Sequence, residues 1–180
     1  MIPVITLPGI GGSGPTHWQS AWEAKDPTIV RFQPARWDRP DLADWIASLD
    51  SAVAAAPAAP LLVAHSLACL LVAHWAARGA RPVRGAFLVC VPDPRSAAFP
   101  VEAREFDDVP GGRLPFPALV VASTDDPFGT IDYSKARAEQ WGAGHVSVGA
   151  HGHLNAASNL GDWPQGTALF EAFRAGTGRI

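Results

Sequence analysis

Apolar residues fall along this chain in short unbroken blocks, separated by stretches that recur every three to four positions. The blocks at 2–7 (IPVITL), 28–33 (TIVRFQ), 59–65 (APLLVAH), 83–91 (VRGAFLVCV), 117–123 (PALVVAS) and 144–149 (GHVSVG) predict six strands. They are continuous rather than alternating, as strands covered on both faces should be. Between them, residues 16–25 set Trp18 and Trp22 four apart and predict a helix. Residues 42–55 carry Leu42, Trp45, Ile46, Leu49 and Val53 on one stripe, with Asp41 as the cap. Residues 66–80 are rich in Ala and Leu and are closed by Gly79. Helices are also expected over 131–141 and over 162–176, the last capped by Asp162. Residues 93–115, rich in Pro, Gly and Asp, predict a long loop with little regular structure. Strands alternating with helices predict an α/β fold: a three-layer α/β/α sandwich around a mainly parallel sheet of about six strands. No linker or repeat interrupts the pattern, so residues 1–180 are expected to form one domain.

Bulk properties narrow the function classes. The net charge of −3, with no basic run, argues against nucleic acid or an anionic membrane as partner. No apolar stretch is long enough to span a bilayer. The N-terminus lacks a basic region and a cleavage site, which leads us to expect no signal peptide and a cytoplasmic protein. Cys69 and Cys90 stand apart in apolar surroundings and read as reduced core thiols. Among the tryptophans, Trp22, Trp45 and Trp75 are expected to pack the core.

The third strand runs into Ala64-His65-Ser66-Leu67-Ala68 and then a helix. This is the setting of a nucleophile elbow, with alanines where the G-x-S-x-G pattern has glycines. Small side chains two residues either side of the serine are what the tight turn needs, and alanine meets that need. A serine after a strand is also a common helix N-cap, so the motif alone does not decide. The rest of the chain supplies partners in the order Ser, Asp, His. Asp125 and Asp126 follow the fifth strand, and His151 and His153 follow the sixth. Catalytic groups of parallel sheets collect past such strand ends. An Asp pair in a turn and a His-Gly-His in a loop are each weak signals; all three groups in order are a stronger one. The residues alone leave Asp125 or Asp126, and His151 or His153, open.

The stretch LPGIGGSGPTHW (7–18) follows the first strand. Gly9, Gly11 and Gly14 spell a dinucleotide fingerprint, but Gly14-Pro15 delays the helix and Asp38 comes too late for a ribose. A P-loop fails because Pro15 stands where the lysine belongs. An oxyanion loop fits better, with Ile10 N–H as one donor and Leu67 N–H, after the nucleophile, as the second. Trp18, Phe128, Leu154 and Trp163 flank the candidate loops and are expected to line an apolar pocket. His17 and Arg36 are too scattered to form an anion site, so a small, weakly polar acyl group is expected. His151 and His153 could supply half a metal site, but no further ligands cluster near them; neither metal nor cofactor is expected.

With these residues in hand, the chain resembles the small serine hydrolases related to retinoblastoma-binding protein 9, a compact branch of the α/β-hydrolase superfamily. The resemblance covers nearly the whole chain. It rests on LPGIGGSGPTHWQSAWE, VAHSLAC, STDDPFG and GHLNAASNLGDWPQG, of which the last two are the more specific. It implies a fold without lid or leading hairpin, with Ser66 as nucleophile, Asp126 as the acid of the DDP segment and His153 as the base. Asp93, past the fourth strand, is a substitute candidate for the acid, because some hydrolases of this fold take theirs from that strand. The family's L-x-C-x-E partner motif is absent: Leu88-Val89-Cys90-Val91-Pro92 lacks the glutamate, so no protein partner is indicated. The expected activity is hydrolysis of a small ester, thioester or amide. The rival is a non-catalytic domain of this fold that binds a protein or a small apolar ligand.

Overall fold

The computed structural model describes residues 2–177. Six strands form one sheet: β1 (Val4–Leu7), β2 (Ile29–Arg31), β3 (Leu61–His65), β4 (Gly85–Val89), β5 (Ala118–Ala122) and β6 (Gly144–Ser147). All neighbours pair in parallel, in the order β2-β1-β3-β4-β5-β6. Helices α1 (Trp18–Lys25), α2 (Leu42–Ala55), α3 (Leu67–Ala77), α4 (Ile131–Trp141) and α5 (Pro164–Thr177) connect and flank the strands. This is the α/β sandwich expected from the alternating pattern.

The strands' period of two sorts their side chains into two cores. Ile5, Leu7, Leu62, Ala64, Ala86, Leu88 and Val120 face one side, against Trp45 and Leu49 of α2, most of α3, and Ala138 and Trp141 of α4. Val4, Leu61, Val63, Phe87, Val89 and Val121 face the other, against Trp18 and Trp22 of α1 and Phe170 of α5. Helix α3 is buried along Leu67–Trp75. That accounts for its lack of a polar face: its alanines let it lie close to the sheet on one side and to α2 on the other.

Two local expectations change. The segment 93–115 is not featureless: Val101–Phe106 form a 3-10 helix whose Ala103 and Phe106 are fully buried. His74 Nε2 of α3 donates to Phe106 O at 3.3 Å, which ties this turn down. Two apolar side chains at the spacing of one 3-10 turn are enough for burial, although Pro and Gly dominate around them. Asp162 does not cap α5. That helix begins at Pro164, a residue pre-set for a first helical position, while the Asp162 carboxylate pairs with Lys25.

The sheet order positions the site. The chain lays β2 on one side of β1, then crosses to lay β3 on the other side. The loops leaving β1 and β3 therefore diverge and open a crevice at the carboxyl edge, where open parallel sheets bind their ligands.

Candidate active site

Ser66 sits at the carboxyl end of β3 with φ 56° and ψ −126°. A non-glycine residue there costs about 1–3 kcal/mol and persists only where its surroundings over-determine it. Here they do so: Ser66 N–H donates to Val89 O at 2.9 Å, and Ala64 and Ala68 are fully buried on either side of the turn. The turn thrusts the serine hydroxyl out of the sheet edge.

His153 Nε2 lies 2.8 Å from Ser66 Oγ. Its Nδ1 lies 2.8 and 3.0 Å from the two carboxylate oxygens of Asp126. A carboxylate only accepts, so Nδ1 carries the proton and Nε2 is free to accept from the serine hydroxyl. The His153 and Asp126 side chains are 8% and 2% exposed, so the pair is shielded from water. The Phe128 ring packs on His153 with centroids 4.4 Å apart, and Phe128 N–H donates to Asp126 Oδ1 at 2.9 Å.

The other candidates fall elsewhere. Asp125 accepts from Ser123 Oγ and from Gly152 N–H at 2.8 and 2.7 Å, and these bonds hold its carboxyl below the usual carboxylate range. It braces the histidine loop from outside. The His151 side chain is exposed, and its backbone bonds to Ser123 and Ser158. Asp93 accepts from Arg95 N–H at 2.9 Å, away from His153. Cys90, Asp126 and His153 bring ligand-type atoms within 4.8 Å of one another. Asp126 and His153 are bonded to each other, and burial pushes the Cys90 thiol well above its usual range, which disfavours the thiolate a metal would need.

The loop after β1 approaches the elbow closely. A Cβ on Gly9 would fall 2.9 Å from Ser66 Cβ and 3.2 Å from His65 O, so only glycine allows this approach. Gly11 N–H bonds to Trp37 O and Gly12 N–H to Gly9 O. Among the described residues, Ile10 N–H has no such partner, and Ile10 lines the cleft beside Ser66. Leu67 N–H, in the first turn of α3, is one of the donors a helix cannot satisfy internally.

A cleft of about 510 Å³ opens over Ser66. Ile10, Phe99, Pro100 and Phe128 give it apolar walls; Ser13, His17 and Asn155 add uncharged polar groups. No Lys, Arg, Asp or Glu is among its lining residues. Of the four residues expected to line it, the cleft includes Phe128. Trp18, Leu154 and Trp163 lie beneath it in the core, at most 2% exposed. Trp18 Nε1 donates to Leu154 O at 2.8 Å, and the Trp18 and Trp163 rings pack 5.0 Å apart. Nearness in sequence to a catalytic loop does not tell which face a side chain takes. Phe99 and Pro100 were missed because they come from the 93–115 segment, which the sequence pattern predicts as a loop with little regular structure.

Burial also bears on two neighbouring histidines. His65 is 4% exposed and desolvation pushes its pKa well below the usual value; His17 is brought down to about 4, again chiefly by burial. Both are neutral at ordinary pH.

Solved structures share this architecture. A YdeN-like hydrolase from Pectobacterium atrosepticum superimposes with a TM-score of 0.89 at 27% identity, over 98% of this chain and 92% of that one. The ydeN gene product of B. subtilis gives 0.79 at 20% identity, over 97% and 100%. An esterase domain from Rhodothermus marinus gives 0.66 at 15%, over 95% and 88%, a likeness of fold alone. None of the curated proteins matches the chain significantly. The sequence profile of the serine hydrolases matches residues 4–172, and the retinoblastoma-binding protein 9-like enzymes fall within that same family. A chain matched over nearly its whole length, with a serine on a strained turn at the floor of its cleft, belongs to the serine hydrolase family.

Proposed function

We propose that this serine hydrolase cleaves a small, uncharged ester, thioester or amide through an acyl-enzyme on Ser66. The observation that carries the proposal is the unbroken hydrogen-bonded chain from Ser66 through His153 to Asp126, set in a cleft lined by no ionic side chain. Ser66 Oγ attacks the carbonyl carbon while His153 Nε2 takes its proton. Asp126 holds the imidazole in the productive tautomer and stabilises the imidazolium that forms. The oxygen of the tetrahedral intermediate is received by the N–H groups of Ile10 and Leu67, each worth about 3 kcal/mol in comparable sites. His153 returns the proton to the leaving group, and the acyl group stays on Ser66. Water, deprotonated by the same nitrogen, then releases the acid and restores the serine.

The cleft supports the substrate class. With no lysine or arginine lining it, nothing there would offset the desolvation of an anionic substrate. Its volume lies in the range of small-molecule pockets.

A fluorophosphonate probe tests the nucleophile. It should label the wild-type chain at Ser66, fail to label Ser66→Ala, and label His153→Ala much more slowly. Folded wild-type protein that resists the probe would leave a binding module as the better reading. A panel of p-nitrophenyl esters of graded chain length and charge then tests the substrate class, with neutral short acyl groups expected to turn over fastest.

A further inference from the structure

We propose that His65 is a positioning residue that sets His153 relative to the nucleophile, an inference that rests on the triad read above. His65 Nε2 lies 2.8 Å from His153 O. A carbonyl only accepts, so Nε2 carries the proton and donates it. The donor is the residue immediately before Ser66 in the chain, and the acceptor is the backbone of the base itself. One hydrogen bond thus links the two halves of the reacting pair without passing through the reacting atoms.

The backbone at His153 needs such an anchor. Its neighbours Gly152 and Leu154 have φ of 60° and 47°. Leucine is disfavoured at that φ, and from within the loop the peptide joining His153 to Leu154 is held only by a long Leu154 N–H to His151 O bond of 3.4 Å, so contacts from outside matter to its orientation. The carbonyl that His65 binds belongs to that peptide. Other bonds secure the flanks of the loop: Ser123 Oγ takes His151 N–H, Asp125 takes Gly152 N–H and Trp18 Nε1 donates to Leu154 O. Among the described residues, only His65 donates to the carbonyl of His153.

His65 is itself held firmly. Its ring lies between those of His153 and His17, with centroids 4.9 and 4.8 Å away. His17 accepts from Gln19 N–H through Nδ1, which fixes its own ring at the start of α1. Burial keeps His65 uncharged, so the anchor adds no positive charge beside the imidazolium that His153 becomes during turnover.

The experiment compares His65→Leu, His65→Gln and His65→Asn with wild type in steady-state hydrolysis of p-nitrophenyl acetate, with Ser66→Ala as reference. Glutamine can place an N–H near the position of Nε2; asparagine is too short and leucine has none. Misplacing a reacting group by about 1 Å can cost on the order of 100-fold. His65→Leu should therefore lose about 10- to 100-fold in kcat with KM within about twofold. His65→Gln should regain most of that loss, and His65→Asn little of it. Wild-type kcat in His65→Leu, or equal kcat in His65→Gln and His65→Asn, overturns the proposal. The Gln and Asn comparison decides alone if His65→Leu does not fold. Activity surviving in Ser66→Ala would instead sink the triad, a failure distinct from either of these.

Discussion

Two adjacent aspartates in one turn meet different fates because successive residues of a turn point in different directions. Asp126 turns inward to His153, whereas Asp125 turns outward to Ser123 and Gly152. Exchanging each for asparagine should separate their roles. In the proposed mechanism Asp126→Asn removes the charge that stabilises the imidazolium and lets the ring take the wrong tautomer, so kcat should fall by about 10³- to 10⁴-fold. Asp125→Asn keeps an oxygen that can accept from Ser123 and Gly152, so kcat should stay within about tenfold of wild type. Ester hydrolysis by the two variants at pH 8 checks both; a large loss confined to Asp125→Asn would refute the assignment. At this scale the sequence was partly legible. Ser66 stood out as a candidate through the small residues around it together with an acid and a base further along the chain in the order Ser, Asp, His, but the choice between neighbouring acids and neighbouring histidines came from likeness to known hydrolases. Side-chain direction within a loop depends on backbone angles such as the positive φ of Leu154 and Trp163, which no periodicity encodes.

Elements were legible where they bury a continuous surface. The central strands β3 and β4 are fully buried, and their unbroken apolar blocks reflect cover on both faces. The outer strand β2 is only three residues long and partly exposed, shorter than its apolar block suggested. The 3-10 helix at Val101–Phe106 gave no readable pattern, since one short turn offers too few positions for a period to emerge. Yet the residues that lead into this element build part of the cleft, because Phe99 and Pro100 line it. Phe106 packs against Trp45 with centroids 5.6 Å apart and anchors the turn in the core. Phe106→Ala should destabilise the fold by about 3–5 kcal/mol. It should also raise KM more than it lowers kcat, because it loosens the cleft wall and leaves the triad in place. Urea unfolding and steady-state kinetics on one preparation test both effects; a KM equal to wild type would show that the wall is held by other contacts.

Across the whole molecule, strand order was the least legible feature, because any parallel pair can be joined by a helical crossover and the apolar pattern does not say which strands pair. What burial does to the histidines is also a property of the whole, and it sets the protein's response to acid. His17, His65 and His74 sit where desolvation lowers their pKa, His17 to about 4. In the unfolded chain each titrates near 6.5. Between these limits the unfolded chain binds protons that the folded one does not, so stability falls as pH drops through 6.5 and goes on falling until the folded-state value is reached. For His17 alone the loss between pH 7 and pH 5 is about 2 kcal/mol. The carboxylates held low by surface contacts, Asp26, Asp38, Asp125 and Asp162, weaken the fold only at more acid pH, because the loss begins at the unfolded carboxylate value near 4. The window from pH 7 to 5 therefore belongs to the histidines. Urea midpoints at the two pH values should show a marked drop in wild type and a smaller one in His17→Asn, where asparagine still caps α1 but no longer titrates. An equal drop in the two proteins would mean that His17 takes up its proton without cost in the fold, contrary to the burial seen here.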